Sequence, residues 1–101
     1  MMTKRQINCV KKAIEHTRNA IKGNGFYMPS DAQTDALKAL YAETYGTIGK
    51  REYGRFSAYL MSIDTANANE VYAVCADEKQ LAAVESALAA YYDAHKQPKE
   101  A

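Results

Sequence analysis

Between Thr3 and Lys22 the chain returns a core-type side chain to one side of a helix five times. Ile7, Val10, Ile14, Thr17 and Ile21 fall within an arc of about 80° at 100° per residue, the width of a core-facing stripe. Thr3 and Gln6 stand in the T-x-x-Q arrangement that caps a helix start. Gly23 and Gly25 follow Lys22, and either can take the left-handed conformation that ends a helix. A chain that opens this way has to supply other elements to cover the stripe.

The opposite face of this helix is basic. It carries Lys4, Arg5, Lys11, Lys12, Arg18 and Lys22, with Asn8 and Asn19 between them and Glu15 as its one acid. Two readings compete: a solvated face, or a footprint for phosphates or for an acidic protein surface. The net charge of +1 conceals an asymmetry behind that choice. Residues 1–55 hold ten Lys/Arg against five Asp/Glu, and residues 56–101 hold three against seven, so the halves carry +5 and −4. Such a split suits a basic binding face, head-to-tail homo-oligomerisation, or pairing of the halves inside one chain.

The 101 residues suffice for one domain, residues 1–101, with one modest core. With 48% apolar and 25% charged residues the chain lies in the globular range. Much of the apolar share is alanine, so the core has to come from a few Ile, Leu, Val and Tyr positions. No apolar run approaches the roughly 20 residues that span a bilayer. The basic N-terminus lacks the apolar stretch of a signal peptide. Cys9 and Cys75 do not make a disulfide framework. These features together give a cytoplasmic expectation with no membrane association.

Further along, Phe26-Tyr27-Met28 forms an apolar cluster suited to plugging the core between two helices. Ser30 and Gln33 repeat the capping pattern, and Gln33, Leu37, Leu40, Tyr41 and Thr44 line one face, which predicts a helix over 31–45 ending at Gly46. Asp77 and Gln80 repeat it again. Leu81, Val84, Leu88, Tyr91 and Tyr92 form the stripe of a last helix running to His95, with 96–101 as a frayed tail. Residues 47–76 are ambiguous. Arg55–Ile63 and Val71–Cys75 are rich in strand formers, and Asp64–Asn69 between them has turn chemistry. This grammar predicts a β-hairpin. The spacing of Tyr53, Phe56, Leu60 and Ile63 instead suits a helix. The expected class is α+β in the order α-α-β-β-α, with a two-stranded hairpin packed on helices; the alternative is an all-α bundle with 50–63 helical.

Motifs for catalysis are absent: there is no G-x-S-x-G, no G-x-x-x-x-G-K and no H-E-x-x-H. No enzyme activity, cofactor or metal is therefore expected. Cys9, His16, Cys75 and His95 include no close ligand pair of the kind zinc sites use. A helix-turn-helix over 31–63 would require apolar residues where Glu52 and Arg55 stand, and it would carry Gly49 where the recognition helix begins. The cluster Lys50-Arg51-Glu52-Tyr53-Gly54-Arg55 interleaves basic and aromatic residues, and Tyr27 or Tyr59 would be available to stack on bases.

The sequence thus leads to a non-enzymatic binding or inhibitor protein that occupies a surface of another macromolecule. Accessory proteins that bacteria or phages direct at a host nuclease or defence complex have this size and lack of motifs. A protein is the first partner expected, because Tyr and Arg dominate protein interfaces. A nucleic acid is the alternative. The candidate surface is Lys4, Arg5, Lys11, Lys12, Arg18 and Lys22, followed by Lys50, Arg51, Tyr53 and Arg55.

Overall fold

The computed structural model describes residues 2–23, 29–68 and 77–95, with the side chains of 65–68 excepted. These residues form four helices: α1 (Lys4–Gly23), α2 (Asp31–Glu43), α3 (Lys50–Ala68) and α4 (Glu78–Ala94). The Phe26–Met28 plug, the second expected strand Val71–Cys75 and the tail from 96 on lie outside the described residues.

Three helix starts follow the sequence signals. At α1, Gln6 N–H donates to Thr3 Oγ1 at 3.1 Å and Thr3 N–H donates to Gln6 Oε1 at 2.8 Å. Ser30 and Gln33 form the same reciprocal pair at α2, at 3.2 Å in each direction. At α4, Asp77 Oδ1 accepts from Gln80 N–H at 2.8 Å, but the reverse half is missing, and Gln80 Oε1 is buried with no hydrogen-bond partner. Each of these caps satisfies backbone donors that a helix start leaves open.

α1 packs against α2 and α3 against α4; the seams α1–α4 and α2–α3 close the bundle, and α2 also touches α4 across the middle. Lys11 and Arg18 of α1 meet Tyr92 and Glu85 of α4, so rising numbers on one helix meet falling numbers on the other, and the two run antiparallel. α1 and α3 sit on the other diagonal, where their backbones do not meet. They are joined instead by side chains: the hydroxyls of Thr17 and Tyr59 hydrogen-bond at 2.8 Å inside the core. Val10, Leu37, Leu40, Phe56, Tyr59, Ile63 and Val84 are almost completely buried. Thr44 is buried too, its Oγ1 donating to the Leu40 carbonyl at 2.8 Å.

The expected α+β class is incorrect. The first proposed strand, Arg55–Ile63, lies within the 19-residue helix α3, and no described residue is in a strand. Phe56, Tyr59, Leu60 and Ile63 are all buried. Their helical spacing, which the hairpin reading subordinated to β propensity, sets the structure of this segment. Propensity for strands largely reflects packing on a half-buried surface; once α2 and α4 supply a concave apolar wall, aromatic and β-branched residues at helical spacing fill it equally well. The all-α alternative is the one that fits.

An all-α fold revives the helix-turn-helix comparison, and the geometry rejects it. The turn between α2 and α3 is made by residues 44–49, with Gly46 at a φ of +78°, a left-handed value that glycine adopts without strain. Asp64 lies about 21 Å along α3 from Lys50 at 1.5 Å per residue. Even so, Asp64 Oδ1 lies 3.5 Å from Lys38 Nζ on α2. This contact requires the two helices to run back beside each other. The steep crossing of a helix-turn-helix would hold those residues far apart.

Candidate binding surfaces on the bundle

The basic residues of α1 do not share one environment. By helical position, Lys4, Lys11, Arg18 and Lys22 follow the flank that borders α4, whereas Arg5 and Lys12 point away from the core. All but Arg18 are exposed. Arg18 Nη2 pairs with Glu85 Oε2 of α4, and both side chains remain about 40% exposed. A pair this open contributes on the order of 0–1 kcal/mol. Its larger consequence is electrostatic: one of the two arginines on the face is already engaged within the chain. Lys22 borders the same seam opposite Glu78, in a recess of about 310 Å³. In the C-terminal half of the basic face, Arg18 is thus paired with an acid of α4, and Lys22 lines a recess with a second one.

The N-terminal half is different. Here Lys11 Nζ lies 5.6 Å from the centroid of the Tyr92 ring, a cation–π contact worth about 0.5–1 kcal/mol at an exposed site. Tyr92 is 41% exposed. The sequence placed it in the core stripe of α4; of that stripe Leu81, Val84, Leu88 and Tyr91 are buried, while Tyr92 stands on the rim. Between these helices runs an open groove of about 540 Å³. Ile14, Leu88 and Ala89 give it an apolar floor, and Lys11, Glu15, Arg18, Glu85 and Tyr92 stand on its walls. The volume is in the range that accommodates a small ligand or a few side chains of a partner.

The second candidate cluster is also divided. Lys50 and Arg51 are exposed and Arg55 is partly so, but Tyr53 is a packing residue. Its ring stacks on Tyr41 at 4.1 Å with planes 12° apart, and its hydroxyl donates to the Tyr41 carbonyl at 3.1 Å. Desolvation, followed by hydrogen bonding with Tyr41 and the charges of Tyr41 and Tyr45, pushes the Tyr53 phenol up to about 12. Tyr45 meets the edge of Tyr53 at 5.6 Å and is 77% exposed. The sequence reading overlooked it. The available signal was its position just past the α2 stripe and before Gly46, where no core neighbour follows. Tyr59, proposed for base stacking, is buried in the core at 1% exposure, and burial raises its phenol despite the Thr17 bond.

Cys9 is a free thiol on α1, packed beside the core. His95 caps α4, stacked on Tyr91 at 4.1 Å, with Nε2 lying 3.8 Å from Glu43 Oε1. Cys75 lies outside the described residues. Among the described residues no three His, Cys, Asp or Glu side chains gather as metal ligands would, and no helix is long and apolar enough to cross a membrane. Searches against family models, curated proteins and solved structures find nothing that matches this chain.

Proposed function

We propose that this chain is a small cytoplasmic binding or inhibitor protein that works without catalysis, by seating a segment of a protein partner on the N-terminal half of α1 and the adjoining α1–α4 groove. The observation that carries this reading is the groove itself: an apolar floor of Ile14 and Leu88 beside exposed Lys11 and a half-exposed Tyr92. An apolar anchor flanked by a carboxylate suits it. The anchor would fill the floor, and the carboxylate would meet Lys4, Lys11 or Lys12. Tyrosine is among the residues that concentrate binding energy in protein interfaces, and lysines around a recess steer an acidic partner toward it. A cytoplasmic setting accords with the unpaired Cys9 thiol.

A second reading is direct binding of single-stranded nucleic acid. It is favoured by one observation, the exposed Tyr45 ring in the α2–α3 turn, which leads into exposed Lys50 and Arg51 at the start of α3.

Affinity capture from a lysate of the source cell, with and without nuclease, separates the two. A dominant protein retained after nuclease treatment, and lost in the Lys11→Glu, Lys12→Glu double variant, is the expected result. Capture unchanged by that variant removes the α1 surface from the interface. Capture abolished by nuclease, together with a steep fall of affinity with salt, transfers the function to nucleic acid. Arg18 is the wrong residue to reverse. Beside Glu85 an introduced carboxylate would repel its neighbour, and a loosened fold would imitate a lost interface.

A further inference from the structure

The outward side of α3 carries a seam that shares only Lys50 with the surfaces above. Lys50, Gly54, Ser57, Met61 and Asp64 follow one another at spacings of four, three, four and three. At 100° per residue they fall within about 80° of arc, largely opposite the buried Phe56, Tyr59, Leu60 and Ile63. Two helices interlock at this spacing where apolar side chains occupy it; here Met61 is the one large apolar side chain on the seam. Met61 is 63% exposed, a high value for an unbranched apolar side chain with no role in the core. Gly54, one heptad earlier, is exposed, and a Cβ built there would meet no atom within 4 Å. The same seam therefore offers a knob and a hole. Its ends are oppositely charged, with exposed Lys50 at one and exposed Asp64 at the other.

We propose that α3 is a self-association surface on which a second copy of this chain packs antiparallel about a two-fold axis passing beside Ser57. The five positions are nearly symmetric about Ser57: Lys50 precedes it by seven and Asp64 follows it by seven, while Gly54 and Met61 stand three before and four after, their midpoint half a residue beyond it. Turning one copy end for end places Met61 over Gly54 of the other copy and Lys50 opposite Asp64, and each contact occurs twice. A two-fold keeps side chains on the same side of the helix pair, and Lys50 and Asp64 both lie on the same side of the Gly54–Met61 line. Each Asp64 then stands between Lys38 of its own chain, 3.5 Å away, and Lys50 of the other. A parallel pair would instead set Lys50 against Lys50 and Asp64 against Asp64. Charge thus selects the second copy as occupant and fixes its direction. With one methionine per copy and no aromatic at its centre, the contact is a reversible one that forms with rising concentration.

Sedimentation equilibrium over a roughly 100-fold concentration range tests this on the intact chain, because self-association is set by mass action. A monomer–dimer equilibrium is expected, with Met61→Glu reducing it to monomer. Lys50→Glu alone and Asp64→Lys alone should each weaken it about tenfold or more, the equivalent of about 1.4 kcal/mol over two symmetric contacts. The variant Lys38→Glu, Lys50→Glu, Asp64→Lys should restore dimerisation, because the antiparallel pairing and the pair between positions 38 and 64 both survive the exchange of charges. Circular dichroism confirms that each variant stays helical. A wild-type chain that remains monomeric throughout overturns the proposal. So does a dimer indifferent to Met61→Glu, or a charge exchange that fails to restore what the single changes remove.

Discussion

The Thr17–Tyr59 hydrogen bond joins α1 to α3 through the core, and its removal has an ordered set of consequences. Both residues are nearly inaccessible, at 3% and 1% exposure, and their hydroxyls lie 2.8 Å apart. Thr17→Val keeps the shape of the side chain but leaves the Tyr59 phenol buried without its partner. An orphaned buried hydroxyl costs about 1–3 kcal/mol. Tyr59→Phe should cost less, about 0.5–1.5 kcal/mol, because the Thr17 hydroxyl can turn to the carbonyl one turn earlier in its own helix. The double variant removes both polar groups together and should be less destabilised than Thr17→Val alone. For a domain of about this size, 1 kcal/mol corresponds to roughly 4–8 °C in Tm. Thermal and urea denaturation of the four proteins closes the cycle. Equal loss in Thr17→Val and in the double variant would refute the reasoning, since it would mean that the phenol was never dependent on Thr17.

Two further outcomes follow from the packing. Phe56→Ala should cost about 3–5 kcal/mol by leaving a void in the core, whereas Ala58→Ser, which a hairpin would put on the same side as Phe56, should change stability by less than about 0.5 kcal/mol; urea denaturation comparing the two reads the helical period of this segment directly. In ultraviolet titration, Tyr53 should ionise near 12 rather than at the ordinary 10.0. The fold holds the proton that the unfolded chain releases near pH 10, so stability should fall as pH rises from about 10 to 12, and Tyr53→Phe should flatten that part of the profile.

The contrast between α1 and α3 shows what could be read in advance. In α1 one stripe of Ile and Val, a capping box and terminal glycines all indicate the same structure, and Val10, Ile14 and Thr17 are buried as the period requires. In α3 the signals conflict. Phe56, Tyr59 and Ile63 have strand propensity and helical spacing at once, and no N-cap side chain marks the start at Lys50. A segment of that kind is decided by what it packs against. The candidate sites divide similarly. Charge on α1 was evident from the sequence, but Glu85 stands 67 residues from Arg18, and no local pattern indicates that the two meet. Tyr53 and Tyr59 have the composition of a stacking surface, yet one is stacked on Tyr41 and the other is inside the core, while the exposed ring is that of Tyr45, which no motif marks.

Local signals account for α1, α2 and α4: their caps, most of their buried stripes and the basic character of one helix face. Periodicity, capping and turn chemistry act over a few residues, so they are written along the chain. Tertiary structure decided the rest. It made α3 a helix by giving Phe56 and Ile63 a core to enter. It set the α1–α4 register, which sends Arg18 to Glu85 and leaves Lys11 with Tyr92. It also turned Met61 and Gly54 outward. The physical reason is that burial and charge pairing depend on which residues come together in space, and for elements this far apart only the assembled bundle fixes that.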